Sequence, residues 1–213
     1  RYLADGLRNR GISCILFTSD GDCNFMLSGG TVPEIHKACN FGSNASRAFK
    51  NLRKFQKTGP LMCAEYWNGW FDHWTEKHHS RNPDDAASCL NDILNCGASV
   101  SVYMAHGGTN FGFMNGANCT DEEYQPTVSS YDDDAPVNEY GKMTEKYYRI
   151  KEVLASHGFT GSNENVSQPV TRAYPDVTLS ETADLLDQLK DISTPVDNAV
   201  PLSMEKLDQG YGY

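Results

Sequence analysis

Residues 59–74 read Gly-Pro-Leu-Met-Cys-Ala-Glu-Tyr-Trp-Asn-Gly-Trp-Phe-Asp-His-Trp. The apolar residues that open this stretch predict a short strand, and the strand delivers one carboxylate, Glu65, into a cluster of aromatic side chains. Aromatic rings stack on the apolar face of a sugar, and a carboxylate among them can attack the anomeric carbon or stabilise a cation-like transition state. The alternative is a buried structural Glu beside a Trp-rich core, and the local pattern alone does not decide between the two.

An alternation of strands and helices extends on both sides of this stretch. Three further strands are predicted at 12–18, 35–41 and 98–105, and four helices at 1–10, 44–57, 84–96 and 144–157. Strands that alternate with helices form parallel βα units, which predicts an α/β fold. An open doubly wound sheet is the rival architecture, but Gly107–Gly112 lacks the Gly-x-Gly-x-x-Gly spacing of its nucleotide-binding turn.

The number of strands indicates only part of a closed fold. Four parallel strands with their helices make half of an eight-stranded barrel, and half a barrel exposes unpaired backbone groups along its edges. We therefore expect the other strands upstream, and we assign residues 1–157 to the C-terminal half of a barrel domain. Residues 158–178 are rich in Gly, Ser, Asn and Pro, which predicts a linker, and residues 179–213 are expected to form a helix and the start of another domain.

The composition excludes several classes of partner. The chain of 213 residues carries a formal net charge of −10, whereas phosphate binding needs clustered Lys and Arg, so neither nucleic acid nor an anionic membrane is expected. No apolar run approaches the roughly 18 residues of a spanning helix. The seven Cys lack metal-binding spacing, so no metal site is predicted; they form disulfides or buried thiols, and their odd number leaves at least one unpaired within the chain.

The chain contains three acceptor triplets for N-glycosylation, at Asn44, Asn118 and Asn165. Glycosylated Asn residues belong to proteins of the secretory pathway. These triplets therefore favour a lysosomal or extracellular protein.

Three segments together carry a resemblance to a known family: Gly59–Trp74, Val102–Gly112 and Ser130–Pro136. They closely resemble β-galactosidases of glycoside hydrolase family 35, the animal lysosomal enzymes among them. The resemblance runs from about Tyr2 to Leu154 and continues more faintly to the end of the chain. It implies a (β/α)8 TIM barrel, of which this chain is the C-terminal half, followed after the linker by the start of a β-rich accessory domain.

The resemblance also implies a chemistry. The family uses a retaining mechanism with two Glu residues, at the ends of the fourth and seventh strands, and Glu65 falls on its nucleophile. The family's acid/base lies in an Asn-Glu dipeptide upstream of the matched region, so we expect that residue outside this chain. No cofactor is implied.

The resemblance assigns three residues to the substrate site. Tyr103 and Trp70 fall on positions that line the family's galactose pocket, whereas Asp133 stands where the family has a Tyr. A carboxylate cannot stack on a sugar, although it can accept hydrogen bonds from sugar hydroxyls. The run Asp132–Asp134 could instead hold a hard cation such as calcium, but no further ligand spacing supports one, and a solvated acidic loop is favoured.

The sequence therefore predicts a hydrolase, a retaining exo-β-galactosidase that removes terminal β-linked galactose from glycans or glycolipids. The alternative is a catalytically inactive, β-galactosidase-like glycoprotein that binds carbohydrate or serves a structural role, which Asp133 and the absent acid/base motivate. The expected partners are a β-galactoside and the upstream remainder of the same barrel. A homo-oligomer is compatible with the sequence.

Overall fold

The computed structural model describes residues 1–110, 115–120, 123–162, 166–203 and 206–207. Its helices are α1 (Tyr2–Asn9), α2 (Asn24–Gly30), α3 (Ala45–Phe55), α4 (Pro83–Asn95), α5 (Glu145–Ser156) and α6 (Leu185–Ile192). Its main strands are β1 (Phe17–Gly21), β2 (His36–Phe41), β3 (Met62–Trp67) and β4 (Ser99–Tyr103). Four short strands follow them: β5 (Gly108–Thr109), β6 (Ala117–Cys119), β7 (Tyr124–Pro126) and β8 (Ser130–Tyr131).

The four main strands form one parallel sheet in the order β1-β2-β3-β4. Each strand therefore lies beside the next one in sequence, and a helix connects each pair. The sheet has no reversal of strand order, which is the feature that defines a doubly wound sheet. The mixed α/β architecture is confirmed, and the unreversed parallel sheet is consistent with part of a TIM barrel.

The hydrophobic core lies between this sheet and its helices. β2 contributes Cys39 and Phe41, and β3 contributes Cys63 and Tyr66. The helices contribute apolar side chains from one face each, namely Ala48, Phe49 and Leu52 of α3, Leu90 and Ile93 of α4, and Ile150 of α5. Because neighbouring side chains in a strand point to opposite faces, the register pair Asn40 and Glu65 projects from the other face of the sheet.

Polar residues fix the beginnings of the two helices that flank β3. The Asn44 side chain accepts a hydrogen bond from the Arg47 backbone N–H and caps α3. The Asn82 side chain accepts hydrogen bonds from the backbone N–H groups of Asp84 and Asp85 and caps α4. The carboxylates of Asp84 and Asp85 also stabilise α4, because they lie at its positive N-terminal end. The helices predicted at 44–57 and 84–96 are confirmed on these grounds. α3 begins one residue and ends two residues inside its predicted limits, whereas α4 begins one residue before its predicted start and ends one residue before its predicted end.

Two local predictions differ from the structure. The strand predicted at 12–18 is β1, Phe17–Gly21, because hydrogen bonding begins where β2 offers its first partner, His36 opposite Phe17. Helix α2 was not predicted, since Ser28-Gly29-Gly30 has poor helix propensity and only Leu27 anchors it in the core.

Residues Val170–Tyr213 form a second unit, separate from Arg1–Pro169. Within it, α6 begins at Leu185, later than the helical spacing from residue 179 suggested, because the Asp184 side chain accepts from the Leu186 N–H and caps the helix there. The linker at 158–178 and the β-rich domain stay predictions. In the part of the chain that the structure describes, no helix combines the length and the apolar character needed to cross a bilayer.

Candidate active site

Glu65 lies near the carboxyl end of β3, on the face of the sheet opposite the helices, and is half-buried. Its Oε2 atom accepts a hydrogen bond of 3.0 Å from the indole Nε1 of Trp67. Residues two apart in a strand share a face, so the pleat of β3 brings this donor and acceptor together. The carboxyl edge of a parallel βα sheet is where the active sites of barrel enzymes are built.

Aromatic rings form a continuous row from β3 into the loop that follows it. The Trp67 and Trp70 rings meet edge to face with centroids 5.4 Å apart, and Trp70 stacks on Phe71 at 5.1 Å. Phe71 in turn stacks on Tyr131 of β8 at 5.6 Å, with the two rings only 10° from parallel. The Trp70 side chain is 40% exposed, which leaves ring surface for an apolar ligand face.

Two tyrosines continue the row toward β4. The hydroxyls of Tyr103 and Tyr131 lie 3.2 Å apart and share a hydrogen bond. Burial raises the pKa of Tyr131, and the bond to Tyr103 and the charges of Asp133 and Glu65 act in the same direction. Tyr131 is therefore a neutral phenol close to the Glu65 carboxylate.

The loop that follows β3 is held close to the segments that follow β4 and β8. A Cβ atom at Gly69 would lie 1.7 Å from the carbonyl oxygen of Asp133, so only glycine permits this approach. The Asn68 side chain donates to the Met104 carbonyl at 2.9 Å. The buried Lys146 of α5 donates from Nζ to the Asn68 carbonyl at 2.8 Å and to the Asp134 carboxylate at 2.6 Å. These bonds fix the loop that presents Trp70.

Asp133 is buried, with only 3% of its surface exposed. Its Oδ2 atom accepts a hydrogen bond of 3.1 Å from the Met104 N–H. Burial raises the pKa of Asp133 to about 6, and the Met104 hydrogen bond and the charge of Lys146 oppose that rise. In this structure the Asp133 carboxylate binds the backbone N–H of Met104, and its role in substrate binding stays a prediction.

The neighbours of Asp133 also have partners within the protein. Asp134 accepts from the Arg81 N–H at 2.7 Å as well as from Lys146, and Asp132 accepts from the Glu139 N–H at 2.8 Å. Among the residues described, no group of three or more His, Cys, Asp or Glu side chains has the arrangement of a metal site. The carboxylates of Asp132, Asp133 and Asp134 thus each accept a hydrogen bond from the surrounding chain.

Two of the glycosylation candidates are described, and both are exposed. Asn44 caps α3 through Oδ1, and the Oδ1 atom of Asn118 lies 2.8 Å from Nε2 of His73. Asn165 lies outside the described residues. All seven cysteines are free thiols in this structure, with Cys39, Cys63 and Cys89 buried.

The structure thus joins three of the predicted residues, Glu65, Trp70 and Tyr103, through a chain of contacts. Sequence reasoning did not select Tyr131, although it lies in the segment Ser130–Pro136 that carries the resemblance. Among the other aromatic residues of this stretch, Tyr66 belongs to the core, since it is fully buried and its hydroxyl bonds to the Ala86 carbonyl. Trp74 is exposed, and the structure gives its ring no place in the row.

A carboxylate and a row of aromatic rings at the carboxyl edge of a parallel βα sheet are features of sugar-cleaving proteins. The family model of glycosyl hydrolases family 35 matches residues 2–157. Because this match covers most of the chain, the chain belongs to glycosyl hydrolases family 35.

Curated relatives agree with this assignment. The chain is 36% identical over 209 residues to "Beta-galactosidase" of Bos taurus, an alignment that covers 95% of the chain and 31% of the relative. It is 38% identical over 206 residues to human "Beta-galactosidase-1-like protein 3", covering 97% of the chain and 31% of the relative. A bacterial relative, "Beta-galactosidase" of Xanthomonas manihotis, is 38% identical over 203 residues, an alignment that covers 93% of the chain and 33% of the relative. The chain spans about a third of the length of these relatives.

Proposed function

We propose that this chain supplies the nucleophile, Glu65, of a retaining exo-β-galactosidase that removes terminal β-linked galactose from glycans or glycolipids. The observation that carries the proposal is the geometry of Glu65, held by Trp67 at the carboxyl edge of the sheet beside the row of aromatic rings. The names of the relatives supply the choice of galactose over other sugars.

The two oxygens of the Glu65 carboxylate have different environments. Trp67 occupies Oε2, and among the described residues none donates a hydrogen bond to Oε1. Oε1 therefore keeps its lone pairs for attack on the anomeric carbon. A second carboxyl group, expected upstream of this chain, protonates the leaving oxygen as its bond to the anomeric carbon breaks. Water then hydrolyses the glycosyl-enzyme ester. Such chemistry requires the two carboxyl groups about 5 to 5.5 Å apart.

The substrate residues have distinct roles in this proposal. Trp70 offers an exposed ring face to the apolar face of galactose, and the Tyr103 hydroxyl, paired with Tyr131, lies where it can bond the sugar. Asp133 acts through the loop that it holds, and any bond to a sugar hydroxyl requires that loop to open. The remainder of the barrel is expected to complete the pocket.

A second candidate is an inactive, galactosidase-like glycoprotein that binds carbohydrate or serves a structural role. It is favoured by the buried Asp133 at a position where the family places an aromatic ring. For either candidate the acceptor sites Asn44, Asn118 and Asn165 support a lysosomal or extracellular location. An Asn-Glu pair after an upstream strand supports the enzyme, and its replacement supports the inactive relative.

The experiment is Glu65→Gln in the full-length protein, compared with Glu145→Gln on the exposed face of α5. An amide is nearly isosteric with a carboxylate but is no nucleophile, so we expect kcat to fall roughly a thousandfold or more, with the unfolding temperature little changed. Glu145→Gln is expected to retain wild-type kcat. Near-normal turnover in Glu65→Gln rules out the proposed role, and a wild-type protein without turnover supports the second candidate.

A further inference from the structure

Glu139 follows β8, and its carboxylate contacts both strands of the two-stranded β5–β8 sheet. The Ser130 hydroxyl of β8 donates to its Oε2 atom at 2.5 Å, and the Thr109 hydroxyl of β5 donates to its Oε1 atom. Ser130 and Thr109 are register partners, so their side chains share one face of the sheet. One carboxylate therefore joins the two strands, with one oxygen for each.

The β5–β8 sheet is short. Its strands are Gly108–Thr109 and Ser130–Tyr131, and a backbone hydrogen bond of 2.7 Å from the Asn110 N–H to the Ser129 carbonyl extends their pairing. A two-stranded sheet is marginally stable at best when it stands alone in water. Hydrogen bonds from a hydroxyl to a carboxylate are roughly twice as strong as neutral ones, so Glu139 reinforces the sheet where backbone pairing is limited.

Glu139 is itself held in place. Its backbone N–H donates to Oδ2 of Asp132 at 2.8 Å. A Cβ atom at Gly107 would lie 2.8 Å from the Glu139 backbone nitrogen, so a side chain at position 107 would displace this segment. Among the residues that the structure describes, no Lys, Arg or His forms an ion pair with the Glu139 carboxylate. Its hydrogen-bonding capacity is therefore directed at the two strands.

The strand that Glu139 holds also places Tyr131. Successive side chains of a strand point to opposite faces, so Tyr131 lies on the face away from Ser130. Its cross-strand partner, Gly108, has no side chain, and its ring stacks on Phe71 instead. Its hydroxyl lies 3.2 Å from that of Tyr103, which ends β4 shortly before β5. The separation of the two hydroxyls therefore depends on how β8 is held against β5.

We propose that Glu139 is a positioning residue of the galactose site. By joining β5 to β8 it fixes the Tyr131 hydroxyl against that of Tyr103, and this pairing sets the direction in which Tyr103 bonds the sugar. The proposal rests on the proposed function, in which Tyr103 contacts galactose. Glu139 contacts no substrate and acts through Tyr131. Pairing orients the Tyr103 hydroxyl before the sugar binds, which reduces the ordering cost of binding.

The experiment measures KM and kcat on a neutral β-galactoside for Glu139→Gln in the full-length protein. Gln keeps the shape of the side chain but loses the charge and one of the two acceptor oxygens. The Tyr103 hydrogen bond is made to the sugar in both the ground state and the transition state. We therefore expect KM to rise about fivefold to tenfold, with kcat within about twofold of wild type.

The matched control is Glu152→Gln on α5, where the side chain is 67% exposed. It is expected to keep the wild-type KM and kcat. A role in folding alone would lower the fraction of active Glu139→Gln protein, and with it the apparent kcat, while KM stayed unchanged. An unchanged KM in Glu139→Gln therefore overturns the proposal, whatever happens to kcat.

Further variants show whether Glu139 acts through Tyr131. Tyr131→Phe removes the hydroxyl, and in that background we expect Glu139→Gln to change KM by less than about twofold, whereas a full fivefold to tenfold effect contradicts the proposal. Thr109→Val is expected to raise KM, and Thr109→Ser, which keeps the hydroxyl, to retain the wild-type value. Equal KM in these two variants contradicts the proposal, and they provide the test if Glu139→Gln fails to fold.

A wild-type protein without turnover would refute the proposed function, and the positioning role is then measured as binding. Calorimetric titration with galactose replaces the kinetics. Affinity for galactose about fivefold to tenfold weaker in Glu139→Gln than in wild type supports the role. Equal affinities, or no binding of galactose by the wild-type protein, overturn it.

Discussion

The indole Nε1 of Trp67 donates a hydrogen bond of 3.0 Å to Oε2 of Glu65, two residues earlier on β3. Trp67 is itself held at two points, since its carbonyl accepts from Arg81 at 2.6 Å and its ring meets Trp70 edge to face. A carboxylate is thereby oriented by a side chain that has little freedom of its own. Catalytic groups need such support, because small displacements from the productive geometry are costly.

Replacing this donor is expected to impair catalysis more than binding. Trp67→Phe keeps an aromatic ring and removes the N–H, and a hydrogen bond to a charged group contributes about 1.5–3 kcal/mol. We predict a fall in kcat of roughly tenfold to a hundredfold in the full-length protein, with a smaller change in KM. Steady-state kinetics on a neutral galactoside measure both.

The matched control is Trp74→Phe, since Trp74 is 63% exposed and lies outside the aromatic row. It is expected to retain wild-type kcat. Equal kcat in Trp67→Phe and wild type is incompatible with an orienting role for Trp67.

Because the pKa of Asp133 is raised in the folded protein, we expect the free energy of unfolding to depend on pH. Burial raises its pKa to about 6 in the folded protein, compared with about 3.9 for an unfolded Asp. The folded state therefore binds this proton more tightly, so its stabilising contribution is complete below about pH 3.9 and is lost as pH rises through about 6. A difference of about two pKa units corresponds to roughly 3 kcal/mol.

Asp133→Asn removes this titration and keeps an acceptor for the Met104 N–H. Asn also tolerates the left-handed backbone at this position, where φ is 59°. We predict that the free energy of unfolding of the variant, relative to wild type, rises by roughly 2–3 kcal/mol between pH 4 and pH 7.5. Urea denaturation at the two pH values tests this, and a difference that does not change with pH contradicts it.

Lys146 is expected to be a major contributor to the stability of the loops around the site. Its side chain is only 3% exposed, burial lowers its pKa, and its ammonium bonds Asp134 and the Asn68 carbonyl. Lys146→Met removes the donor to the Asn68 carbonyl and the cation paired with Asp134, which keeps its hydrogen bond from the Arg81 N–H. Breaking a buried pair costs about 3–5 kcal/mol, less where one partner is partly exposed. We predict a loss of roughly 3 kcal/mol in urea denaturation, against a change within about 0.5 kcal/mol for Lys151→Met on the exposed part of α5.

The sequence was sufficient to predict the elements whose apolar periodicity is strong. Phe49 and Leu52 mark the buried face of α3, and the strand that carries Glu65 follows from the apolar residues before it. The predicted start of β1 is too early in the sequence, because the limits of an edge strand depend on its register with the neighbouring strand. Here that register puts His36 opposite Phe17. Periodicity within one segment carries no information on that register.

The site could be predicted only where the relevant contacts are local in sequence. Glu65 and Trp70 lie within one short segment, whereas the stacking of Phe71 on Tyr131 joins residues 60 positions apart along the chain. The burial of Asp133 likewise depends on the approach of Gly69 from another loop. Such contacts arise from the packing of the two loops, which propensity and spacing do not encode.

Covalent trapping of the glycosyl-enzyme intermediate shows whether Glu65 is the nucleophile. The full-length protein is incubated with a 2-deoxy-2-fluoro-β-galactoside that carries a good leaving group, digested with trypsin and analysed by mass spectrometry. We expect one fluorogalactosyl group on the peptide Thr58–Lys77, with fragment ions that place it on Glu65. A label on another carboxylate, or no label on a protein that hydrolyses galactosides, would show that Glu65 is not the nucleophile.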